Sequence, residues 1–429
     1  MQFYPSIFQH TNISSFWKRK GERSDLENDR GIFNVNKIRS ILDKMIYNDI
    51  YETIDAHMSS SNIGARKNRN IRDHLFVING VTNDILNNKE NKNKNIDIQI
   101  YDVSKCFDKL EYTSTATDLY NAGVKDDKFD VIANSNKNCQ VAIRTPWGST
   151  TERMNMKRIE MQGTVLAGLK CSISIDTIGK EILNNTHEVS FKYKNCVTLP
   201  PLSLIDDILC VSTCSEDSVI MNSIIQSKLQ GKQLLLGHKK CFQMHIGKNI
   251  ECCPTLTVHD KPMNTSNEER YLGDILTSDC KLDSNIHDRV SKGTGHASEI
   301  LGILKEISFG YHYFDMALQL RNAKLINGMF CSIEALYGLN QSHMEQLEQV
   351  DKFFMRKVFS CVITTPTEAY YLETGALLLR FINAARRLLF YRTILHEPES
   401  ELVKQALRFQ SKGSLQKKAY QTKLVRRRS

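Results

Sequence analysis

Several absences bound what this chain can be. Its twelve cysteines include no Cys-x-x-Cys pair and no Cys/His cluster at zinc spacing, so neither a zinc module nor a disulfide framework is expected. Cys210/Cys214 and Cys252-Cys253 read as small core residues with reduced thiols. The N-terminus carries no basic segment followed by an apolar core, so no secretory leader is expected. The longest apolar stretch near the end, 376–395, is broken by Arg380, Arg386, Arg387 and Arg392. That makes it an amphipathic helix and not a membrane span. There is no Gly-x-x-x-x-Gly-Lys loop, which removes a common phosphate cradle of ATP-binding proteins, and no internal repeat. These absences describe an intracellular protein of the nucleus or cytoplasm with no membrane partner.

Acidic residues are also absent after Glu401, where nine basic ones follow, from Lys404 to Arg428. The whole chain has a formal net charge of +9, so residues 1–401 are neutral and the tail carries the excess. Such a run is either a solvated, disordered end or one that attracts phosphate. At 429 residues, 41% hydrophobic and 24% charged, the chain is long enough for two or three packed regions.

Periodicity orders those regions. Residues 35–57 read as a helix with Ile38, Ile41, Leu42, Met45, Ile46 and Ile50 on one face, and a second amphipathic helix runs through Leu75, Ile78, Val81 and Ile85. The Lys/Asn run at 87–95 is a loop and a boundary. Ile96, Ile98 and Ile100 then alternate with Asp97, Gln99 and Tyr101, a strand period that places Asp102 on the isoleucine face. Residues 140–144 and 153–159 read as strands joined by the turn Thr145-Pro146-Trp147-Gly148-Ser149. Residues 218–236 read as a helix with Met221, Ile225 and Leu229 on one face. Beyond Asp283 the period is helical. Leu318, Leu325, Met329, Ile333 and Leu336 form one stripe, Ser342 to Glu345 a capping box, and Leu378, Ile382, Ala385 and Leu389 another stripe. The expected regions are 1–95, helix-rich; 96–282, mixed α+β; 283–400, helical; and 401–429, the basic tail.

One stretch carries chemistry. Residues 199–211 read as strand, acidic turn, strand, and the turn is Leu204-Ile205-Asp206-Asp207-Ile208. Two adjacent carboxylates in an apolar run repel each other and lose hydration, at a cost of several kcal/mol. A divalent cation offsets both, and Asp102 at the end of another strand could complete its oxygen ligands. Alone, Asp-Asp is as readily a turn or a helix cap. The ordered constellation says more: Asp102 with Phe107, then Gln162-Gly163, then Ile205-Asp206-Asp207, then Lys240-Cys241, then Tyr271-Leu272-Gly273.

That set resembles the palm of reverse transcriptases, most closely those of non-LTR (LINE-type) retrotransposons. Arg30-Gly31-Ile32 and Gly64-Ala65-Arg66 resemble the finger motifs upstream, and the likeness runs from about Trp17 to His396. It implies an α+β, right-hand polymerase fold: fingers in 1–95, a palm with an antiparallel sheet in 96–282 and a helical thumb in 283–400. It implies two Mg²⁺ ions, with Mn²⁺ as an alternative, on Asp102, Asp206, Asp207 and the Val103 carbonyl. Phe107 falls at the position that excludes a ribose 2′-hydroxyl, Gln162 and Gly163 at the template–nucleotide pocket, and Arg30 and Arg66 at the triphosphate. Lys240 falls at the general acid, with Lys239 beside it, and Tyr271, Leu272 and Gly273 at the primer-gripping hairpin. The implied partners are an RNA template, a DNA primer or target and dNTPs. Oligomeric state is not legible.

The pattern departs from the family in two places. Leu204-Ile205 stand where Tyr/Phe-Ala is usual, and Val165-Leu166-Ala167-Gly168 lacks the proline that often follows Gln-Gly. No endonuclease, RNase H, integrase or zinc-knuckle segment is recognisable, which fits a reverse-transcriptase portion of an element, decayed or truncated. The expected activity is RNA-directed DNA polymerisation. An RNA-dependent RNA polymerase is disfavoured by Ile205 and Phe107. An inactive relic that binds nucleic acid is the alternative.

Overall fold

Alternation in residues 96–102 does become the central strand of a sheet. The computed structural model describes residues 5–18, 21–25, 28–87, 95–145, 147–156, 160–185, 192–193, 197–213, 215–247, 254–307 and 311–410. In chain order its first elements are β1 (His10–Trp17), β2 (Asp29–Asn34), α1 (Lys37–His57), α2 (Ile71–Asn87) and β3 (Ile96–Ser104). Helices α3 (Cys106–Lys109), α4 (Tyr112–Asn121) and α5 (Asp126–Ser135) follow, then β4 (Gln140–Arg144), β5 (Met154–Asn155) and α6 (Val165–Asn185). A ribbon of β6 (Lys192–Tyr193) and β7 (Val197–Thr198) precedes β8 (Leu202–Leu204) and β9 (Asp207–Ser212). Then come α7 (Ser215–Gly231), β10 (Leu235–Leu236), β11 (Phe242–Ile246), the ribbon β12 (Thr257–Val258) and β13 (Lys261–Pro262), and β14 (Asn264–Thr265). The last strands are β15 (Glu268–Tyr271) and β16 (Asp274–Thr277). Helices α8 (Asp283–Lys305), α9 (Tyr311–Leu320), α10 (Asn327–Met329), α11 (Gln341–Val358), α12 (Thr367–Thr374), α13 (Leu379–His396) and α14 (Leu402–Gln410) close the order.

Two compact units result, residues 1–69, 96–245 and 249–265 in one, and 70–95, 246–248 and 266–429 in the other. These units cut across the bounds expected from sequence, since 70–95 and 266–282 join the C-terminal helices.

The first unit has a four-stranded sheet, β2-β1-β4-β5, and a six-stranded one, β14-β11-β3-β9-β8 with β10 on β3. On one face of the larger sheet Tyr101, Val103, Ile208 and Cys210 pack on Ile175 and Ile178 of α6 and on Met221, Ile225 and Leu229 of α7. The opposite face, with Ile98, Ile100, Leu209 and Val211, is buried as well. The polar members of the alternation are therefore inside, and must be bonded there. Ser218 Oγ and Gln243 Nε2 donate to Asp97 Oδ2 at 2.7 and 2.9 Å, and the Tyr101 hydroxyl donates to Gln99 Oε1 at 2.7 Å.

Helix α1 corrects the sequence reading. Its buried residues are Arg39, Asp43, Ile46, Tyr47, Ile50, Tyr51 and Ile54, whereas Ile38, Ile41 and Met45 are exposed. Arg39 is the reason: its guanidinium donates to the Phe8 carbonyl at 2.6 Å and to Asn136 Oδ1 at 2.9 Å, and pairs with Asp43. Of the strand expected at 153–159, β5 is the part seen, and residues 157–159 lie outside the described set.

In the second unit the stripe expected from Leu318 to Leu336 does line the core. It is not one helix, because a π-helical turn, Arg321–Ile326, follows α9 and the chain leaves the helix after Met329. The cap of α11 is Asn340 and not Ser342. Asn340 Oδ1 accepts from the His343 N–H at 2.9 Å, and His343 Nδ1 accepts from the Asn340 N–H. Helix α13 buries Leu379, Asn383, Phe390 and Ile394, so Leu389 faces outward against expectation. The tail begins as helix α14, with Leu402, Val403 and Ala406 buried, and residues 411–429 lie outside the described set. Among the described residues no helix is long and apolar enough to cross a membrane.

Buried charge holds this unit. Arg321 Nε and Nη2 meet Asp351 Oδ1 and Oδ2 at 2.7 and 2.6 Å, and the Tyr371 hydroxyl donates to Asp351 Oδ2 at 2.6 Å. Removing one partner strands the other charge in a dry core. Asp351→Ala should therefore lower stability by about 3–5 kcal/mol, read as a shift of the urea midpoint. A shift below about 1 kcal/mol would mean that water solvates Arg321 there.

Candidate active site

The site starts from a register. Strands β3 and β9 run antiparallel with Asp102 opposite Asp207, so the two carboxylates stand on one face with Cα atoms about 4.5–5.5 Å apart. Leu204 pairs with Asp207 across β8 and β9, which leaves Ile205 and Asp206 as a two-residue hairpin turn. The Val103 N–H donates to the Asp206 carbonyl at 2.9 Å, tying this turn to the end of β3. Asp102 thus lies on the isoleucine face, as the period implied.

Ile205 has φ +55°. For a β-branched residue that is a strained conformation, at a cost of about 1–3 kcal/mol. Its side chain packs, half-buried, against the core behind the sheet together with Phe107. Beneath the turn runs the loop 61–65, with the Ile63 N–H on the Ser203 carbonyl at 3.1 Å and the Ser203 N–H on the Ser61 carbonyl at 3.0 Å. A Cβ on Gly64 would lie 2.5 Å from Ser172 Oγ and 3.0 Å from the Ile205 nitrogen, so only glycine lets this loop pass.

The basic partner comes from the other edge of β3. β10 pairs with β3 there, and the Gly237 N–H donates to the Asp102 carbonyl at 2.9 Å. A Cβ at Gly237 would approach Asp102 Oδ2 to 3.0 Å. The short turn His238–Lys240 then aims Lys240, whose Nζ sits 2.7 Å from Asp102 Oδ1. Of the two adjacent lysines, Lys240 is the one that reaches the site. Gly237 was not recognisable beforehand, although a glycine between a run of leucines and a basic pair was a usable signal.

Electrostatics set the character of the cluster. Burial, then Asp206 and Asp102, push the Asp207 carboxyl up to about 6, against the pull of Lys240. Asp206 is raised chiefly by burial and also by Asp102, while Lys240 and Arg30 counter it. Three oxygen donors whose charges oppose one another suit a hard divalent cation. Yet among the described residues no group of three or more His, Cys, Asp or Glu side chains is placed to hold a metal ion. The expected set Asp102, Asp206 and Asp207 is assembled in sequence register without being closed into a ligand shell, and Asp102 already has an ammonium partner.

The other expected residues fare differently. Arg30 lies in β2, exposed, opposite Phe16 of β1. Phe107 is half-buried in α3, and its carbonyl accepts from the Glu160 N–H at 2.9 Å. The Gln162 carbonyl accepts from the Phe33 N–H at 3.3 Å, and Gly163 has φ +110°, a conformation that only glycine takes easily. Residues 165–168, which lack the family's proline, are the first turn of α6, where Thr164 Oγ1 accepts from the Ala167 N–H at 3.2 Å.

Arg66 is a correction. Its side chain is 4% exposed and is spent on Asp55 Oδ1 at 2.7 Å and on the Ser59 and Asn62 carbonyls. It fixes the loop under the hairpin turn and presents nothing to a triphosphate. Tyr271, Leu272 and Gly273 belong to the second unit. Tyr271 is buried with its hydroxyl 3.2 Å from His74 Nδ1, and Leu272 and Gly273 form the turn between β15 and β16.

The family described as reverse transcriptase (RNA-dependent DNA polymerase) matches residues 20–276. Among curated protein sequences none matches. Solved structures with similarity include apo telomerase from Candida tropicalis, at 13% identity and TM-score 0.48, covering 94% of this chain and 63% of that one. Telomerase from Candida albicans with a fragment of telomeric RNA gives 14% and 0.44, covering 87% and 66%. An RNA-dependent RNA polymerase of a human picobirnavirus gives 13% and 0.43, covering 93% and 64%. The chain thus spans less than two thirds of the length of these proteins.

The raised Asp207 carboxyl predicts a proton signature. Because its folded pKa of about 6 exceeds the ordinary value near 4, the folded chain binds more protons between those values. Its contribution to stability is present below about pH 4 and is lost as pH rises through about 6. A divalent cation must displace that proton. If the cluster binds Mg²⁺, calorimetry in buffers of differing ionisation enthalpy should show more proton release on binding at pH 6 than at pH 8, and less at pH 6 for Asp207→Asn, where the raised Asp206 remains.

Proposed function

The chain belongs to the reverse transcriptase (RNA-dependent DNA polymerase) family, and from that premise we propose that it is an RNA-directed DNA polymerase. Membership brings the right-hand polymerase fold, here a mixed structure of helices and sheet. In this reading the four-stranded sheet belongs to the fingers, the six-stranded sheet is the palm and the helices after Asp283 are the thumb. The carrying observation is the register that sets Asp102 opposite Asp207, with Asp206 in the turn and Lys240 at 2.7 Å from Asp102.

Asp102, Asp206 and Asp207, with the Val103 carbonyl, are the residues that would hold divalent ions. When bound, two Mg²⁺ or Mn²⁺ ions lower the pKa of an attacking primer 3′-hydroxyl and neutralise charge on the dNTP triphosphate. Arg30 supplies a second, exposed cation near Asp206 for the triphosphate. Phe107 sets the floor under the sugar, and its carbonyl bond to the Glu160 N–H fixes the height of that floor. Gln162 and Gly163 border the pocket for the template base and the incoming nucleotide. Lys240, released from Asp102, carries the proton that the departing pyrophosphate needs. The turn at Tyr271-Leu272-Gly273 is assigned to the primer, an RNA strand to the template, and the chain to a non-LTR retrotransposon.

The alternative is a relic that binds nucleic acid without catalysis, favoured by the strained Ile205 and by the open carboxylate set. Primer extension separates the two. With poly(rA)/oligo(dT), dTTP and Mg²⁺ the protein should extend the primer, and Asp206→Asn should lose more than about a hundredfold in rate. No extension by the natural chain would establish the relic. Phe107→Val should raise ribonucleotide incorporation by about tenfold, and unchanged sugar selection would remove Phe107 from the pocket.

A further inference from the structure

The chain has two tryptophans, and both are exposed. Trp147 shows 88% of its surface, unusual for the side chain with most to gain from burial. It sits at the tip of the β4–β5 hairpin on a well-bonded turn. The Thr145 N–H donates to the Ser149 carbonyl at 2.8 Å, the Gly148 N–H to the Thr145 carbonyl at 3.1 Å, and the two hydroxyls of Thr145 and Ser149 meet at 2.7 Å. The ring is thus held out by a fixed backbone.

The register brings a second ring to the same place. β1 runs parallel to β4 with Ser14 opposite Arg144, so Phe16 and Trp147 leave the same end of adjacent strands, two and three residues beyond that pair. Phe16 is 54% exposed. Opposite Phe16 on β2 stands Arg30, so Phe16, Arg30 and Arg144 share one face of the sheet. Asp29, the acidic neighbour in β2, lies on the other face and accepts from the Ser15 hydroxyl.

We propose that Phe16 and Trp147, with Arg30 and Arg144, form a platform on which bases of an unpaired nucleic-acid strand stack. Exposed rings alternating with guanidinium groups serve such strands, because every base has a π-face and every nucleotide a phosphate. An aromatic hot spot for a protein partner would call for a packed apolar surround, whereas the turn that carries Trp147 is polar, with Thr145 and Ser149 bonded to each other, and Arg144 precedes it. The identity of the strand as template rests on the polymerase reading; the stacking does not.

The test uses the scarcity of tryptophan. In a Trp17→Phe variant of the full chain, Trp147 is the one remaining tryptophan, and its emission should be quenched by single-stranded oligo(rU) or oligo(dT) and little by duplex. By anisotropy of a labelled strand, Trp147→Ala should bind about tenfold more weakly, with an unchanged thermal midpoint because the ring is exposed. Arg144→Ala should reduce the slope of log affinity against log salt by about one. Asp206→Asn should bind and quench like the natural chain, so a failure of primer extension leaves this outcome standing. Unquenched emission, equal quenching by duplex, or full affinity in Trp147→Ala overturns the platform.

Discussion

Three carboxylates share one end of the six-stranded sheet, and their mutual repulsion is the constraint that the surrounding chain answers. Two like charges 4 Å apart cost about 4 kcal/mol at an effective dielectric of 20. Lys240 at 2.7 Å from Asp102 offsets part of that, but its side chain is 67% exposed, where water and salt weaken an ion pair. Asp207 accordingly remains raised to about 6. The protein alone leaves the cluster short of positive charge, and that deficit is what the proposed divalent ions would fill.

The same constraint explains the glycines around the cluster. Where backbone passes close to the carboxylates or to their turn, a side chain would collide with them. Gly237 brings β10 against Asp102, and Gly64 carries a loop beneath the Ile205 turn. Each is replaceable by no residue with a Cβ unless Asp102 or Ser172 moves.

The central strand, the acidic hairpin and the buried face of α7 were legible because period two and period 3.6 are local properties. What failed was local pattern opposed by a distant partner. Arg39 lies in a helix whose apolar stripe pointed elsewhere, yet it is buried because Asn136, nearly a hundred residues away, accepts a hydrogen bond from its guanidinium. Arg66 matched a finger motif by type and spacing, and only the structure reveals Asp55 and two carbonyls as its partners. A sequence displays which residues can bond but not which ones are close, so the strand that carries Asp102 was legible and the partners of Arg66 were not. Lys239 and Lys240 differ in the same way, since the turn that carries them brings Lys240 to Asp102.

Ile205 turns this logic back on the site. A bulky residue beside the aspartates suggests crowding, since the family carries alanine there. In the structure the side chain packs against the core cluster that includes Phe107, so it occupies space behind the sheet. What it brings is backbone strain, about 1–3 kcal/mol at φ +55°, and that strain is held by the Val103–Asp206 bond on one side and the buried side chain on the other. Alanine at φ > 0 would keep much of the strain and lose the anchor, because the penalty comes from the Cβ that both residues have. The larger residue is thus compatible with a working hairpin: its extra carbons fasten the turn from the core side and leave both carboxylates on the open end of the strands.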